Sequence, residues 1–308
     1  MLKKCDARTC PFCKATGDVA PVCGEGYVTG GVPWCCARCG GTYFRRLREE
    51  VDPGEYWESD QVNEHVYTID AVRDAFTLKY KRYLRQLRAP VNGTKPHMLE
   101  VGCGSGIFLD VATQFGWDVH GLDISPQAIA LARRYCSTAT LHCASLADAG
   151  FEAGSFDCVA LWDVIEHVED PEMVVRQARQ VLRTGGMLVM ETPDEGCPAR
   201  VLVRLLHRIT GGRANVMSAM YYSAHRWYFS RRAMTLLLER SGFEDIRFYR
   251  EHTVREFGVQ KTTAYGWRRS VVQRTARTVA DRIGLIPWLR NKMVVVAVAA
   301  ECPGQVRP

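Results

Sequence analysis

The chain has 308 residues, 47% of them hydrophobic and 24% charged, which is enough apolar matter for a full core and excludes a disordered chain. No run approaches the ~20 apolar residues of a membrane span, and the first residues lack the apolar core of a signal peptide, so a cytoplasmic protein with reduced thiols is expected. The net charge of +6 is uneven: residues 200–292 hold nineteen Lys and Arg against six Asp and Glu, and the remainder is net acidic. Such asymmetry fits a nucleic-acid or anionic-lipid partner, an anionic substrate, or an arginine-rich surface that binds nothing.

Seven of thirteen cysteines fall before residue 40. Cys10-Pro11-Phe12-Cys13 and Cys36-Ala37-Arg38-Cys39 are two C-x-x-C knuckles, the second followed by Gly40-Gly41. Four thiolates so spaced close a tetrahedral Zn²⁺ site with no open position, which makes the metal structural. Cys35 is an alternative to Cys36, and Cys5 and Cys23 are spare. Short strands near Tyr27-Val28 are expected to fill the gap between knuckles. Forty residues with few large apolar side chains need such a staple.

Val51-Asp52-Pro53-Gly54 reads as a turn. Val72, Ala75, Phe76, Tyr80, Tyr83, Leu84 and Leu87 then recur at helical spacing, which predicts a connecting helix or lid over about 69–87. Pro90-Val91-Asn92-Gly93 ends it. These features divide the chain into a zinc-ribbon-like domain at 1–45, a connecting helical segment at 46–95, and a main domain at 96–308.

The main domain opens on Met98-Leu99-Glu100-Val101-Gly102-Cys103-Gly104-Ser105-Gly106. An apolar strand ends in a glycine turn, where the backbone must reverse and approach a ligand closely. Helical spacing resumes over 107–115. A second strand, 118–122, ends at Asp123. An acid there lies at the switch point of a doubly wound sheet and bonds a ribose diol. Glu100 inside the strand end repels a pyrophosphate but suits the ammonium of a methionine moiety. A nucleoside cofactor with an amino-acid arm follows.

Ser125-Pro126 is a helix start, with Ser125 as N-cap, and a third strand covers 140–143. Gly154-Ser155-Phe156-Asp157 leads into a buried strand ending at Trp162-Asp163. Val164 to Pro171 leads into a helix ending near Leu182, with Arg183-Thr184-Gly185-Gly186 as a turn and Gly at the C-cap. The fifth strand covers 187–191. A helix covers about 230–240, and strands cover 243–249 and 293–300. Residues 200–222 form an amphipathic basic insertion in which Val201, Leu202, Leu205, Leu206 and Ile209 alternate with Arg204, His207 and Arg208. It caps the active site with its apolar face inward or, as the alternative, lies on a membrane surface. Residues 267–286 form a second such insertion. Insertions are therefore expected near 198–225 and 255–290.

This order resembles the class I S-adenosylmethionine-dependent methyltransferases along nearly all of 96–308. The E-x-G-x-G-x-G run resembles their motif I, and "LRTGGMLVMETP" their fifth-strand motif. Within that family "WDVIEHVEDP" and "AHRWYFSRRAMTLLLERSGF" are similar to bacterial small-molecule methyltransferases, including the quinone-ring O-methyltransferase type. The resemblance implies an α/β, Rossmann-like seven-stranded sheet with helices on both faces, and S-adenosyl-L-methionine as cofactor. It implies that Glu100, Gly102, Gly104 and Gly106 hold the methionine part, that Asp123 binds ribose, and that Ile124 lies beside adenine. The family often has an Asp after the third strand. Here Ser145-Leu146 stands in its place, with a hydroxyl and an N–H for the adenine edge.

Methyl transfer from a sulfonium is an in-line displacement in which the protein positions the acceptor. A hydroxyl acceptor also loses a proton, which suits histidine. His167, beyond the fourth strand, and His225, after the fifth, are the candidate catalytic groups, and each can instead be a packed histidine. Asp163 is expected to touch cofactor or substrate, and Glu166 to be a solvated first-turn acid favoured by the helix dipole. The expected substrate is a small-molecule intermediate methylated on O, N or C. An RNA methyltransferase gripping phosphate with its basic third is the alternative, although Asp163-Val164-Ile165-Glu166 lacks the N/D-P-P-Y/F pattern of exocyclic-amine enzymes. A non-catalytic scaffold is the third reading.

Overall fold

The computed structural model describes residues 9–28, 31–44, 69–87, 95–213, 217, 220–221, 225–252 and 290–301. The turns at 51–54 and 90–93, Cys5, and the second basic insertion at 267–286 lie outside the described residues.

Eleven strands and six helices make up the described chain. In order they are β1 (Val19–Pro21), β2 (Pro33–Cys36), β3 (Thr42–Phe44), α1 (Asp70–Leu84), β4 (His97–Val101), α2 (Ile107–Gln114), β5 (Asp118–Asp123), α3 (Pro126–Tyr135), β6 (Thr140–Cys143), β7 (Phe156–Trp162), α4 (Pro171–Val181), β8 (Leu182–Pro193), α5 (Pro198–Ile209), β9 (Trp227–Tyr228), α6 (Arg231–Arg240), β10 (Phe243–Glu251) and β11 (Lys292–Ala299).

Seven strands form one sheet in the order β10-β11-β8-β7-β4-β5-β6. The five strands from β8 to β6 are parallel, and β11 runs antiparallel between β8 and β10. The chain order reverses at β4, where β5 lies on one side and β7 on the other. That is the switch point, and the glycine turn leaves from it.

Alternation along the strands sorts side chains to two faces. Met98, Cys158, Ala160, Trp162 and Val189 pack with α1, α2 and α3. Leu99, Val101, Val159, Leu161 and Met190 pack with α4 and α6. Helices therefore cover both faces, as the α/β reading requires. Ser125 caps α3, its side chain accepting from the Ala128 N–H, and Asp170 caps α4, accepting from Glu172 and Met173.

The Gly185-Gly186 turn is a correction. α4 stops at Val181, and its C-cap Leu182 is already extended. The glycines sit inside β8. A Cβ on Gly186 would lie 2.8 Å from the Arg183 carbonyl and 3.1 Å from that of Asp157. The glycine is there for close strand approach and does not end the helix.

The N-terminal strands are β1 and β2, not a strand at Tyr27-Val28, which is bend. β1, β2 and β3 form an antiparallel sheet that β9 extends, with Thr42 opposite Tyr228 and Tyr43 opposite Trp227. Phe12 packs edge-on against Trp227 and Phe229, its ring centroid 5.2 Å from that of Phe229. A Cβ on Gly41 would meet the Phe12 ring at 2.3 Å, so only glycine admits it. Cys10, Phe12, Cys36, Cys39 and Tyr43, in and around these N-terminal strands, join the same buried cluster as α4 and α6. Among the described residues no helix is long and apolar enough to cross a membrane.

Candidate active site

Three glycines after β4 adopt left-handed backbone: Gly102 (φ +70°), Gly104 (+49°) and Gly106 (+76°). Gly102 also lacks room for a side chain, since a Cβ would meet Val164 Cγ2 at 2.5 Å. Asp123 ties this turn to the next. It accepts from the Gly104 N–H at 3.0 Å and from the Ser125 N–H at 2.9 Å. Burial pushes its carboxyl upward, and those N–H groups oppose the shift.

Glu100 is 3% exposed, and its Oε2 has no partner among the described residues. Burial first, then repulsion from Asp123, pushes its carboxyl well above the usual range. An ammonium is what such an oxygen accepts. The turn's bare backbone, the Asp123 carboxylate and the orphaned Glu100 oxygen thus fit an amino-acid nucleoside. Ile124 is half exposed beside Asp123, Leu146 is buried, and Ser145 donates to Asp148.

Four charges meet at the carboxyl ends of β7 and β8. Lys79 on α1 donates to Glu191 Oε2 at 2.8 Å, and Lys292 donates to Glu191 Oε1 at 2.9 Å and to Asp163. Asp163 adopts left-handed backbone (φ +57°), a region that Asp tolerates better than most residues. Burial works against its charge, but Lys292 and Lys79 outweigh it and hold its carboxyl below normal. Asp163 is thus paired with Lys292. Burial pulls Lys79 down, and its ammonium lies 5.3 Å from the Trp162 ring. Neither lysine stood out in the sequence, because each lies far along the chain from its partners.

His167 and His225, fifty-eight residues apart, come together edge-to-face with ring centroids 4.6 Å apart. Glu166 joins them and is the second correction. It is fully buried, before α4 begins, and Thr192 donates to its Oε2 at 3.1 Å. Burial, then Asp163, raises its carboxyl well above normal. A solvated first-turn acid would show none of this.

The third correction concerns α5. Val201, Leu202, Leu205, Leu206 and Ile209 are exposed, Ile209 by 71%, while Arg200 and His207 are buried. The apolar face points outward, so α5 does not cap the site with that face inward. Its basic face is held by Glu195, which pairs with Arg200 and Arg204 and accepts from Tyr221 at 2.8 Å and Thr42 at 2.7 Å. Other arginines of the basic third also have internal partners: Arg226 with Glu169, and Arg240 with the Phe12 carbonyl and Glu172.

In the ribbon, the Sγ atoms of Cys10, Cys13, Cys36 and Cys39 lie within 4.8 Å of one another. Cys10 and Cys39 are 3.7 Å apart, and Cys13 and Cys36 are 3.6 Å apart. A tetrahedron with metal–sulfur bonds of about 2.3 Å has edges of roughly 3.8 Å, whereas a disulfide needs about 2.05 Å. The four sulfurs fit a zinc ion. Cys35 is set apart from them, beside Arg204.

A family model described as a methyltransferase domain matches residues 72–247. The chain belongs to that family. Its class I methyltransferase fold is shared by a phosphoethanolamine N-methyltransferase 2 from Haemonchus contortus, in complex with S-adenosyl-L-methionine. The TM-score is 0.56 at 17% identity, covering 83% of this chain and 61% of that one. Magnesium protoporphyrin IX methyltransferase from Synechocystis PCC 6803, with bound S-adenosylhomocysteine, gives 0.53 at 16%, covering 80% and 98%. At such identity the likeness carries the fold alone. Ubiquinone biosynthesis O-methyltransferase from Xanthomonas axonopodis pv. citri (strain 306) is 27% identical over 142 residues, 44% of this chain and 55% of that protein. Its counterpart from Chromobacterium violaceum is 27% identical over 153 residues, 48% and 62%. The chain thus spans a little over half the length of these relatives.

The Lys79–Glu191–Lys292–Asp163 network yields a direct expectation. Glu191→Gln leaves two buried ammonium groups sharing only Asp163, so it should cost about 3–5 kcal/mol. Urea unfolding measures this, and a loss below about 1 kcal/mol would show that the network does not stabilise the strand ends.

Proposed function

We propose that the protein is an S-adenosylmethionine-dependent methyltransferase acting on a hydroxyl of a small biosynthetic molecule. The observation that carries this reading is the pairing of the orphaned Glu100 oxygen with the Asp123-bridged glycine turn at the switch point. The cofactor would supply an electrophilic methyl group on a sulfonium. Glu100 holds its ammonium, the backbone at Gly102, Gly104 and Gly106 lets the amino-acid arm approach, and Asp123 binds the ribose. Ile124 is the adenine platform, and Ser145 with the Leu146 N–H serves the adenine edge.

Asp163, held by Lys292, contacts the cofactor or the substrate, and His167 and His225 line the acceptor's approach. An oxygen acceptor is supported by this imidazole pair and by the name of the ubiquinone biosynthesis relatives. A small molecule is preferred over RNA because arginines of the basic third spend their charge on Glu195, Glu169 and Glu172.

Residues 1–45 are proposed as a zinc ribbon with Cys10, Cys13, Cys36 and Cys39 as ligands. Its zinc is structural, and β9 couples it to the methyltransferase domain of 96–308, with 46–95 connecting the two.

Two measurements test these readings. Calorimetric titration with S-adenosylhomocysteine should show binding that Asp123→Ala weakens about 10- to 100-fold, the equivalent of roughly 1.5–3 kcal/mol for charged hydrogen bonds. Equal affinity in the variant would reject the ribose assignment. Elemental analysis should find bound zinc, of which Cys39→Ser loses one equivalent per chain with a fall in melting temperature. A folded, metal-free wild-type chain would reject the zinc site.

A further inference from the structure

We propose that Glu166, His167 and His225 form a divalent-cation site beyond the carboxyl ends of β7 and β8, distinct from the four-cysteine group, and that its ion binds the acceptor oxygen. The role assigned to the ion rests on the methyl-transfer reading. The site itself does not.

The first argument is the donor set. One carboxylate oxygen of Glu166 and one ring nitrogen from each histidine lie within 4.8 Å of one another. Bonds of about 2.0–2.2 Å to a transition ion place neighbouring donors roughly 3 Å apart, so modest side-chain rotation closes the set. Two neutral imidazoles and one carboxylate leave open positions and suit a divalent transition ion. The ribbon's four thiolates offer a closed site, so the two centres have different chemistry.

The second argument is the Glu166 carboxylate. It is fully buried, and only Oε2 is satisfied, by Thr192; Oε1 has no partner among the described residues. A buried carboxylate with an unmet oxygen is costly without a cation. That carboxylate belongs to the same group as the two imidazoles.

The third argument is preorganisation. The Arg226 and Trp227 N–H groups both donate to the Glu166 carbonyl, at 2.8 and 3.2 Å. The Phe44 N–H of the ribbon donates to the Arg226 carbonyl at 3.1 Å. His167 is held by its N–H to the Val164 carbonyl at 2.9 Å. The residues before α4 and those before β9 are thus clamped together by backbone, and the ribbon clamps the second of them. Thr192, at the end of β8, locks the carboxylate's other oxygen as outer-shell partners of ligands do.

With the ion in place the histidines are ligands and not bases. The ion lowers the acceptor's hydroxyl pKa, and the proton leaves to water. The ionised oxygen forms the new C–O bond as the carbon–sulfur bond breaks, with the electron pair staying on sulfur.

His97, Asp118 and His120 form another potential donor group, at the amino ends of β4 and β5, so the test is made in the His97→Ala background. The probe is Mn²⁺, a hard ion that the soft thiolates of the zinc-loaded four-cysteine group do not take up. Electron paramagnetic resonance titration should show one bound Mn²⁺ per chain. His225→Asn and His167→Asn should each weaken it at least about tenfold, with unchanged S-adenosylhomocysteine affinity and circular dichroism. If one variant fails to fold, the other decides. Folded protein that binds no Mn²⁺, or binding that survives the substitution, overturns the site. Mn²⁺ binding without S-adenosylhomocysteine binding would keep the site and reject the cofactor reading instead, so the two failures are distinct.

Discussion

One carboxylate ties together the two turns at the switch point. Asp123 ends β5 and accepts from Gly104 in the turn after β4 and from Ser125 at the cap of α3. These bonds set the distance between the two turns that flank the switch point. Asp123 is almost fully buried, so its charge is costly unless those N–H groups face it. The left-handed glycines exist to let one of them do so. Glu100, one strand over, is then left in the same dry region with an oxygen that nothing in the described protein satisfies. Fold stability and ligand preference meet in this pair of acids.

A second constraint couples the ribbon to the site. β9 is two residues long, yet it pairs with β3, while the residue before it bonds to Glu166 and to Phe44. The N-terminal strands therefore share a core with α4 and α6 and also hold the residues beside Glu166 in place. Glu195 repeats the theme, taking a ribbon threonine, two α5 arginines and Tyr221 on one carboxylate. A thiolate-bound ion that staples the knuckles would also hold these links in register.

Much of this was legible in the sequence because it is local. The E-x-G-x-G-x-G run, Asp123 four strand residues after His120's neighbour Val119, the Ser125-Pro126 cap and the two knuckles each fit in a short window. The strand alternation that sorts Leu99 from Met98 is local as well. What was not legible depends on distant partners. Glu166 looked like a first-turn acid because the window shows only Pro171 ahead, whereas Thr192 and Arg226 bury it. The α5 stripe gave a period but no direction, because Glu195 and the Asp194 carbonyl, which draw Arg200 inward, carry no helical signal. Gly185-Gly186 reads as a helix stop because the demand that Asp157 and Arg183 approach it is not in its own window. Lys79 and Lys292, 213 residues apart, meet on Glu191.

The central claim is that the Asp123–Glu100 cradle holds S-adenosylmethionine, and a crystal structure of the protein with S-adenosylhomocysteine tests it most directly. The account predicts ribose hydroxyls on the Asp123 carboxylate, the ammonium on Glu100, and the sulfur directed toward His167 and His225. Density for the ligand away from the glycine turn, or a ribose that leaves Asp123 untouched, would contradict it.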